Sequence, residues 1–295
     1  MLFGIAGLVV GAVILVVCIL VASTSLPPSN VPNDKSVESV ESTKSAKPLN
    51  VAEQPRLLLA TENPTEFRPV LCIVTNQWKR AQNTLRTALR RGEWKHDILL
   101  ITTFKDHPSS ELESPYTHML RYDQPVLTPS RSGRPAFQQF KIFMFHPDVA
   151  KRWDVVFYLD AGMTVEAPLM PLLKTHVWKD HVVAQSDAYP AFVWDLNTQF
   201  EHKPGDPVVP GGERRDYFQT GVMMFDTKFC TQKTLDDLQA LFFKYPNHCN
   251  NEQSIMNLLF VDEWQPMINK PDAEGWYPYY CLRRTGKDRV RIWKW

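Results

Sequence analysis

The sequence predicts an α/β domain in which a mostly parallel sheet is flanked by helices. Several short runs are entirely apolar and of strand length, and residues 155–159 are the clearest of them. Such runs are too short for helices, and their lack of polar alternation indicates strands buried on both faces, as in parallel sheets. These runs alternate along the chain with segments of helical periodicity. The strands are therefore expected to be joined by crossover helices.

The first elements of this sheet follow one another closely. A strand is predicted at residues 70–75, which read Val-Leu-Cys-Ile-Val-Thr. A helix is predicted next, because Ala81 and Leu85 fall on one helical face. Gly92 is expected to end that helix. Residues 98–103 then form the second predicted strand.

A long polar stretch separates these elements from the next strand. Residues 106–135 are rich in Pro and Ser and are too long for an ordinary connection, so they either carry specificity or form a mobile loop. Residues 136–146 predict a helix, which Pro147 follows, and the apolar strand at 155–159 comes after it. The order strand, helix, strand, helix, strand is that of a parallel α/β sheet.

Asp160 directly follows the apolar run at 155–159. Open α/β sheets bind their ligands at the carboxyl ends of the strands, and this carboxylate is expected to lie there. It needs a cation, a hydrogen-bond donor or water as a partner. Two interpretations follow: Asp160 binds a ligand, or it only caps the turn after the strand.

The residues around Asp160 read Tyr-Leu-Asp-Ala-Gly. This segment resembles the metal-binding Asp-x-Asp motif of nucleotide-sugar glycosyltransferases with the GT-A fold, especially those of family 8, the glycogenin-like group. The second Asp of that motif is Gly162 in this chain. The resemblance implies that Asp160 and Gly162 line the donor site and that Asp160 is a ligand of Mn2+ or Mg2+. Because a tightly held ion normally has several oxygen ligands, we expect weak metal binding, with metal independence as the alternative.

Two later segments are similar to sugar-binding segments of the same family. Residues 184–187 follow a short apolar run, and Asp187 occupies the place of a sugar-contacting Asp in the family. Residues 217–226 are similar to the family's Phe-Asn-Ser-Gly-Val strand, with Gln-Thr in place of Asn-Ser. The resemblance implies a substrate-binding segment formed by Gln219, Thr220 and Gly221.

Residues 251–257 are similar to the family's Asp-Gln-x-x-x-Asn helix start, with Glu252 in place of the Asp and with Gln253. The resemblance implies that both side chains lie beside the anomeric carbon. A retaining enzyme would use Gln253 to support a short-lived cationic intermediate, whereas an inverting one would use Glu252 as a general base. We favour retention. The alternative for Glu252 is that it only complements the helix dipole.

The diphosphate of a nucleotide sugar requires compensation of its charge as it leaves. Lys141 lies near the position of a basic residue that contacts the donor in the family. Arg284 and Lys287 belong to a basic cluster near the carboxyl end that is suited to clamping phosphates. By resemblance, Thr75 and Asn76 hold the nucleoside base. The alternative for Lys141 is a surface lysine, and for the basic cluster it is a solvated face. The alternative for Thr75 and Asn76 is ordinary turn chemistry.

The amino-terminal part of the chain predicts a membrane anchor and a stem. Residues 1–22 carry no charged side chain, and at about 1.5 Å per residue they give roughly 30 Å of helix, enough to cross a bilayer. A cleaved signal peptide is the alternative. Residues 23–66 are too polar to fold alone and are expected to be flexible. With a catalytic domain at 67–295, this order resembles that of Golgi type II glycosyltransferases, which implies a single-pass protein whose domain faces the Golgi or ER lumen.

Composition and motifs narrow the function further. A net charge of +1 gives no electrostatic case for a nucleic-acid partner. The chain lacks Gly-x-Ser-x-Gly and Gly-x-Gly-x-x-Gly, which disfavours an α/β hydrolase and a Rossmann oxidoreductase. The resemblance implies a hexosyl- or pentosyltransferase that moves a sugar from a nucleotide sugar, preferably a UDP-sugar, to a glycan or glycoprotein acceptor. The alternative, motivated by Gly162, is a non-catalytic GT-A-like module that binds nucleotide sugar or glycan.

Overall fold

The computed structural model describes residues 67–103, 117–121, 136–187, 195–201, 204–214, 216–245, 251–268, 270–279 and 289–294. The predicted anchor at 1–22 and the stem at 23–66 lie outside these ranges. Among the described residues, no helix has the length and apolar character needed to cross a membrane.

Eleven strands and five α-helices make up the described part of the chain. The strands are β1 Pro69–Thr75, β2 Asp97–Thr102, β3 Thr117–Arg121, β4 Val155–Leu159, β5 Met163–Val165, β6 Val182–Ser186, β7 Phe218–Asp226, β8 Trp264–Pro266, β9 Trp276–Tyr277, β10 Arg289–Val290 and β11 Ile292–Lys294. The helices are α1 Trp78–Arg90, α2 Pro147–Ala150, α3 Met170–Thr175, α4 Gln232–Lys244 and α5 Glu252–Leu259.

Seven of these strands form the central sheet, in the order β3-β2-β1-β4-β7-β6-β8. The pairings β3 with β2, β2 with β1, β1 with β4, and β6 with β8 are parallel, which confirms the predicted mostly parallel sheet. Strand β7 runs antiparallel to both β4 and β6, which the sequence did not indicate. Its reversed direction brings the beginning of β7 to the carboxyl end of β4, where Leu159 lies opposite Val222.

Apolar packing covers both faces of this sheet. One face packs against α4, α5 and a 3-10 helix at Ala136–Phe145, and the other packs against α1 and α3. All five residues of β4 are buried, which confirms the prediction of a strand enclosed on both faces. Full burial of one Val, Leu or Phe side chain stabilises a fold by about 1.5–3 kcal/mol. Strand β4 is therefore firmly held in the core of the sheet.

Two predicted segments differ from the structure. The helix expected at 136–146 is a 3-10 helix rather than an α-helix. Phe140 and Phe143 are buried and three residues apart, a spacing that aligns side chains on one face of a helix with three residues per turn. The stretch 106–135, expected to carry specificity or to form a mobile loop, contains β3. As an edge strand of mixed polarity, β3 carries little apolar pattern by which to recognise it.

A small sheet near the end of the chain brings a late segment to the central one. Strand β11 pairs antiparallel with β5, so that Lys294 lies opposite Met163. Arg291, directly before β11, is almost fully buried. Its guanidinium pairs with Asp272 and donates to the carbonyl oxygen of Pro168 at 2.7 Å. This buried arginine fixes β11 beside the turn that follows β4.

Candidate functional site

Four of the predicted segments meet at the carboxyl edge of the central sheet. Asp160 follows β4, and Asp187 follows β6. Thr220 lies near the beginning of β7, which reaches the same edge because that strand is antiparallel. Helix α5 begins there with Glu252. The sequence segments that resemble a donor site therefore lie together in space.

Lys141, from the 3-10 helix, is at the centre of this edge. Its ammonium lies 2.7 Å from Oδ1 of Asp160 and 2.7 Å from Oε1 of Glu252. It also lies 3.3 Å from Oγ1 of Thr220. An ammonium has three protons to donate, and these partners accept them. Because the Lys141 side chain is only 8% exposed, the interpretation as a surface lysine is wrong.

The charges of this cluster stabilise one another. Burial by itself lowers the pKa of Lys141, but Asp160 and Glu252 more than offset it and raise that pKa above its ordinary value. Burial likewise raises the pKa of Asp160, but Lys141 and Lys294 outweigh it and hold that pKa below its ordinary value. Lys141 and Asp160 are both charged at neutral pH.

The Asp160 side chain is fully engaged. Besides Lys141, its Oδ1 accepts a hydrogen bond from the Tyr158 hydroxyl at 2.7 Å. Its Oδ2 lies 3.1 Å from the ammonium of Lys294, the last residue of β11. None of these bonds goes to an amide of the following turn, where Thr84 accepts the hydrogen bond of the Gly162 N–H at 3.0 Å. Asp160 therefore organises the cluster rather than capping the turn.

Gly162 adopts a backbone conformation that excludes a second carboxylate. Its φ is +99°, in a region that L side chains rarely adopt. There is room for a side chain, because among the described atoms an added Cβ would approach only Cδ of Arg80, at 3.9 Å. The turn geometry, rather than crowding, thus accounts for glycine at position 162.

The described residues do not fit a divalent cation at this turn. A Mg2+ or Ca2+ site needs several free oxygen ligands. Here one carboxylate is present, and both of its oxygens face ammonium groups. Within the described ranges, no group of three or more His, Cys, Asp or Glu side chains is suited to hold a metal. The assignment of Asp160 as a metal ligand stays a prediction, without support from the geometry of its neighbours.

Glu252 and Gln253 have different surroundings. Glu252 is buried, and its Oε1 accepts hydrogen bonds from Lys141 and from the Thr220 hydroxyl at 2.9 Å. Its Oε2 has no hydrogen-bond partner among the described residues. Gln253 is half-buried, and its Nε2 donates to Oδ2 of Asp187 at 2.9 Å. Glu252 is therefore part of the charged cluster, so its role is more than complementing the dipole of α5.

The remaining predicted residues have less direct connections to the cluster. Gly221 lies against it, and its carbonyl oxygen accepts the Asp160 N–H at 2.9 Å. Gln219 is half-buried on β7. Thr75 ends β1 at the same edge of the sheet, and its hydroxyl bonds the backbone of Gln77, as in ordinary turn chemistry. Asn76 follows it and is exposed. Arg284 and Lys287 lie outside the described residues.

Sequence reasoning missed three residues of the site. Tyr158 and Lys294 both contact Asp160. Gln199 lies 3.4 Å from Nε2 of Gln253, through its Oε1. A tyrosine one position before Leu159 looks like any core residue of a buried strand. Lys294 is 134 residues from Asp160 along the chain, so no local pattern connects them.

The comparisons with known proteins identify the fold. No protein-family model matches the sequence, and no curated protein matches it. The solved structure of the galactosyltransferase LgtC, in complex with donor and acceptor sugar analogs, has a TM-score of 0.54 to this chain at 13% identity, covering 77% of this chain and 86% of that one. The chain has the GT-A fold. The match to the bifunctional glycosyltransferase WbbM has a TM-score of 0.50 at 14% identity, and it covers 80% of this chain and 47% of the WbbM chain.

A third solved structure is the glycosyltransferase GlyE of Streptococcus pneumoniae, with 18% identity, a TM-score of 0.47, and coverage of 69% of this chain and 46% of that one. The chain thus spans about half the length of GlyE and of WbbM. The predicted α/β fold with a mostly parallel sheet is confirmed, and it is the fold of LgtC.

Proposed function

We propose that this domain transfers a sugar from a nucleotide sugar, preferably a UDP-sugar, to a hydroxyl group of a glycan or glycoprotein. The observation that carries the proposal is the Lys141 ammonium held between Asp160 and Glu252. Burying three charges costs several kcal/mol per ion before pairing offsets it, so such a cluster contributes little to stability. The cluster lies at the carboxyl edge of the sheet, which is where proteins of this fold bind their ligands.

The residues divide the reaction between them. The bond from the anomeric carbon to the diphosphate oxygen breaks, and its electron pair goes to the diphosphate. A bond from the acceptor oxygen to that carbon forms, and the acceptor proton passes to the leaving diphosphate. Asp187 and Gln253 are joined at 2.9 Å and bind the donor sugar. Lys141 and Asp160 hold the edge of the site rigid beneath it.

The surroundings of Gln253 and Glu252 favour retention. A general base must be free to take the acceptor proton. Glu252 is paired with Lys141 and Thr220 through Oε1, and its Oε2, which has no partner among the described residues, is buried away from solvent. Gln253 is half-buried and held by Asp187, a position suited to supporting positive charge at the anomeric carbon. In this proposal, Gln253 faces the reaction and Glu252 orients Lys141.

A second candidate function is the non-catalytic binding of a nucleotide sugar or glycan. Both oxygens of Asp160 are engaged by side chains of this chain, so the site is complete without a reacting group. A pure binding module would take up donor and release no nucleotide from it.

The proposed location also rests on the sequence. The uncharged residues 1–22 anchor the chain in the membrane, and residues 23–66 serve as a stem. The domain at 67–295 then faces the Golgi or ER lumen as part of a single-pass type II protein. Glycan and glycoprotein acceptors are available in that compartment.

The experiment is a panel of UDP- and GDP-linked hexoses and pentoses supplied to the full chain with mixed glycan acceptors. Free nucleotide and glycosylated acceptor are measured, and NMR of the product gives the anomeric configuration. One donor should be consumed with retention, and Asp160→Asn should lower its turnover by at least about tenfold. Lys151→Gln, which removes a lysine paired with Asp148 before β4, is the control. Donor binding without nucleotide release would select the binding module.

A further inference from the structure

Two basic side chains flank the turn from Asp160 to Gly162. The side chain of Lys294 is 53% exposed, and its ammonium lies 3.1 Å from Oδ2 of Asp160. Near the same turn, Cδ of Arg80 lies 3.9 Å from the position that a Cβ of Gly162 would take. Arg80 is exposed and makes no ion pair with any described residue. Two exposed basic side chains therefore lie close to the turn from Asp160 to Gly162.

Among the described residues, the charges near this turn do not cancel. Lys141, Lys294 and Arg80 are three cations, whereas Asp160 and Glu252 are two anions. The two anions are largely or fully buried, whereas Lys294 and Arg80 are exposed, so the excess positive charge of the described residues reaches solvent. An exposed excess of positive charge at the edge of a sheet attracts an anion.

Both cations are held by elements that are fixed to the turn. Lys294 is carried by β11, which pairs with β5 directly after the turn. Arg80 belongs to α1, in which the Thr84 hydroxyl accepts from the Gly162 N–H at 3.0 Å and donates to the Met163 carbonyl oxygen at 2.8 Å. The two side chains thus start from backbone positions that cannot move independently of the turn. Such preorganisation lowers the entropic cost of binding an anion.

We propose that Lys294 and Arg80 bind the diphosphate of the donor directly, in the place where the Asp-x-Asp motif would hold a metal ion. The inference rests on the proposed function for the identity of the anion. Ammonium and guanidinium groups form charge-assisted hydrogen bonds to phosphate oxygens, and arginine does so in a bidentate manner. As the bond to the sugar breaks, its electron pair goes to the diphosphate, whose growing charge these two cations stabilise.

The spatial arrangement explains why Gly162 accompanies this charge pattern. A second carboxylate at this position would lie beside Arg80 and would offset its charge. With glycine there, the guanidinium stays available to an anion. Lys294 meanwhile pairs with Oδ2 of Asp160, so this oxygen faces an ammonium. Glycine at position 162 and the two cations are thus compatible with one anion at this turn.

The test measures binding of UDP and of inorganic pyrophosphate to the full chain by calorimetry in the presence of a chelator. Both ligands should bind, and in a separate titration without chelator, added manganese should not lower the Kd. Lys294→Gln and Arg80→Gln should each raise the Kd by about tenfold, as expected for loss of one charge-assisted contact, or about 1.4 kcal/mol. Lys151→Gln removes a 72% exposed lysine that is likewise paired with one aspartate, and it should bind as the parent does.

Thermal unfolding of each variant shows that it is folded, which is expected because both side chains reach solvent. Arg80→Lys keeps the charge and should recover part of the affinity. Binding only in the presence of manganese, no binding of either ligand, or unchanged binding by Lys294→Gln and Arg80→Gln would overturn the inference. Its failure differs from failure of the proposed function. Pyrophosphate binding that depends on these residues without any sugar transfer would reject the transferase alone, whereas manganese-dependent transfer that ignores them would reject the inference alone.

Discussion

At the scale of single residues, Lys141 compensates the negative charge of the two carboxylates in the cluster. Its ammonium lies between the carboxylates of Asp160 and Glu252, at 2.7 Å from each. Without it, Lys294 would be the one cation among the described residues that still contacts either carboxylate. Like charges that share a buried site repel one another, so the two carboxylates depend on the Lys141 ammonium.

Replacing Lys141 by Met should therefore destabilise the fold. Removal of one partner from a buried charge pair costs about 3–5 kcal/mol, and urea unfolding measures the change. The control is Lys151→Met, whose side chain is 72% exposed and whose pair with Asp148 contributes at most about 1 kcal/mol. In an Asp160→Asn background, Lys141→Met should cost less, because one of its two partners has lost its charge. Equal costs in both backgrounds would contradict the pairing described here.

The pH dependence of stability provides a second prediction. Burial raises the pKa of Asp160, but Lys141 and Lys294 outweigh it and lower that pKa below its ordinary value. A lowered carboxyl pKa stabilises the fold above the unfolded pKa, about 3.9 for Asp, and this contribution is lost as pH falls through the folded pKa. Asp160→Asn should thus be less stable than the parent at neutral pH, with a difference that shrinks in acid. A difference that stays constant with pH would show that the charge of Asp160 does not stabilise the fold.

At the scale of elements, the antiparallel strand β7 assembles the site. It places Thr220 and Gly221 beside Asp160, and Asn257 of α5 binds the backbone of Phe218 at both N–H and carbonyl oxygen, at 2.8 Å each. Strand β11 adds Lys294 from the end of the chain. Elements that are far apart in sequence therefore complete an edge that begins with β4.

The sequence predicted the strands that are buried and the residues that follow them. The composition of an all-apolar run such as β4 predicts that the strand is buried. The polar residues that follow such strands lie at one edge of the sheet, because parallel strands share a direction. The direction of β7 could not be predicted, because an apolar run reads the same in either orientation. The contacts of Lys294 and Arg80 depend on how the elements pack, which no local pattern contains.

The position of β11 should depend on Arg291. This buried guanidinium pairs with Asp272 and with the carbonyl oxygen of Pro168, and the Arg291 carbonyl oxygen accepts the Glu166 N–H at 2.7 Å. Arg291→Ala should increase hydrogen exchange of the amides in β5 and β11 by at least about tenfold while β1 and β4 stay protected, because those strands open only with the whole sheet. Arg289→Ala is the control, since Arg289 is exposed. Equal protection in both variants would mean that other contacts hold β11.

At the scale of the whole molecule, the chain combines a GT-A domain with an amino-terminal segment of very different composition. Residues 1–22 contain no charged side chain, and residues 23–66 are rich in Ser, Pro, Glu and Lys. The described domain begins at residue 67, and its central seven-stranded sheet is packed against helices on both faces. The proposed membrane attachment and the proposed chemistry would therefore belong to separate parts of the chain.

Removal of residues 1–25 should consequently release a folded domain from the membrane. An apolar helix of about 20 residues is enough to span a bilayer, whereas the polar stem gains nothing from entering it. The truncated chain should be found in the soluble fraction after a wash in high salt and carbonate, and its far-UV circular dichroism should show the mixed helix and strand content of the domain. The full chain should stay with the membranes under the same wash. A truncated chain that remains in the membrane pellet would show that the domain itself binds lipid, and the assignment of the anchor to residues 1–22 would be wrong.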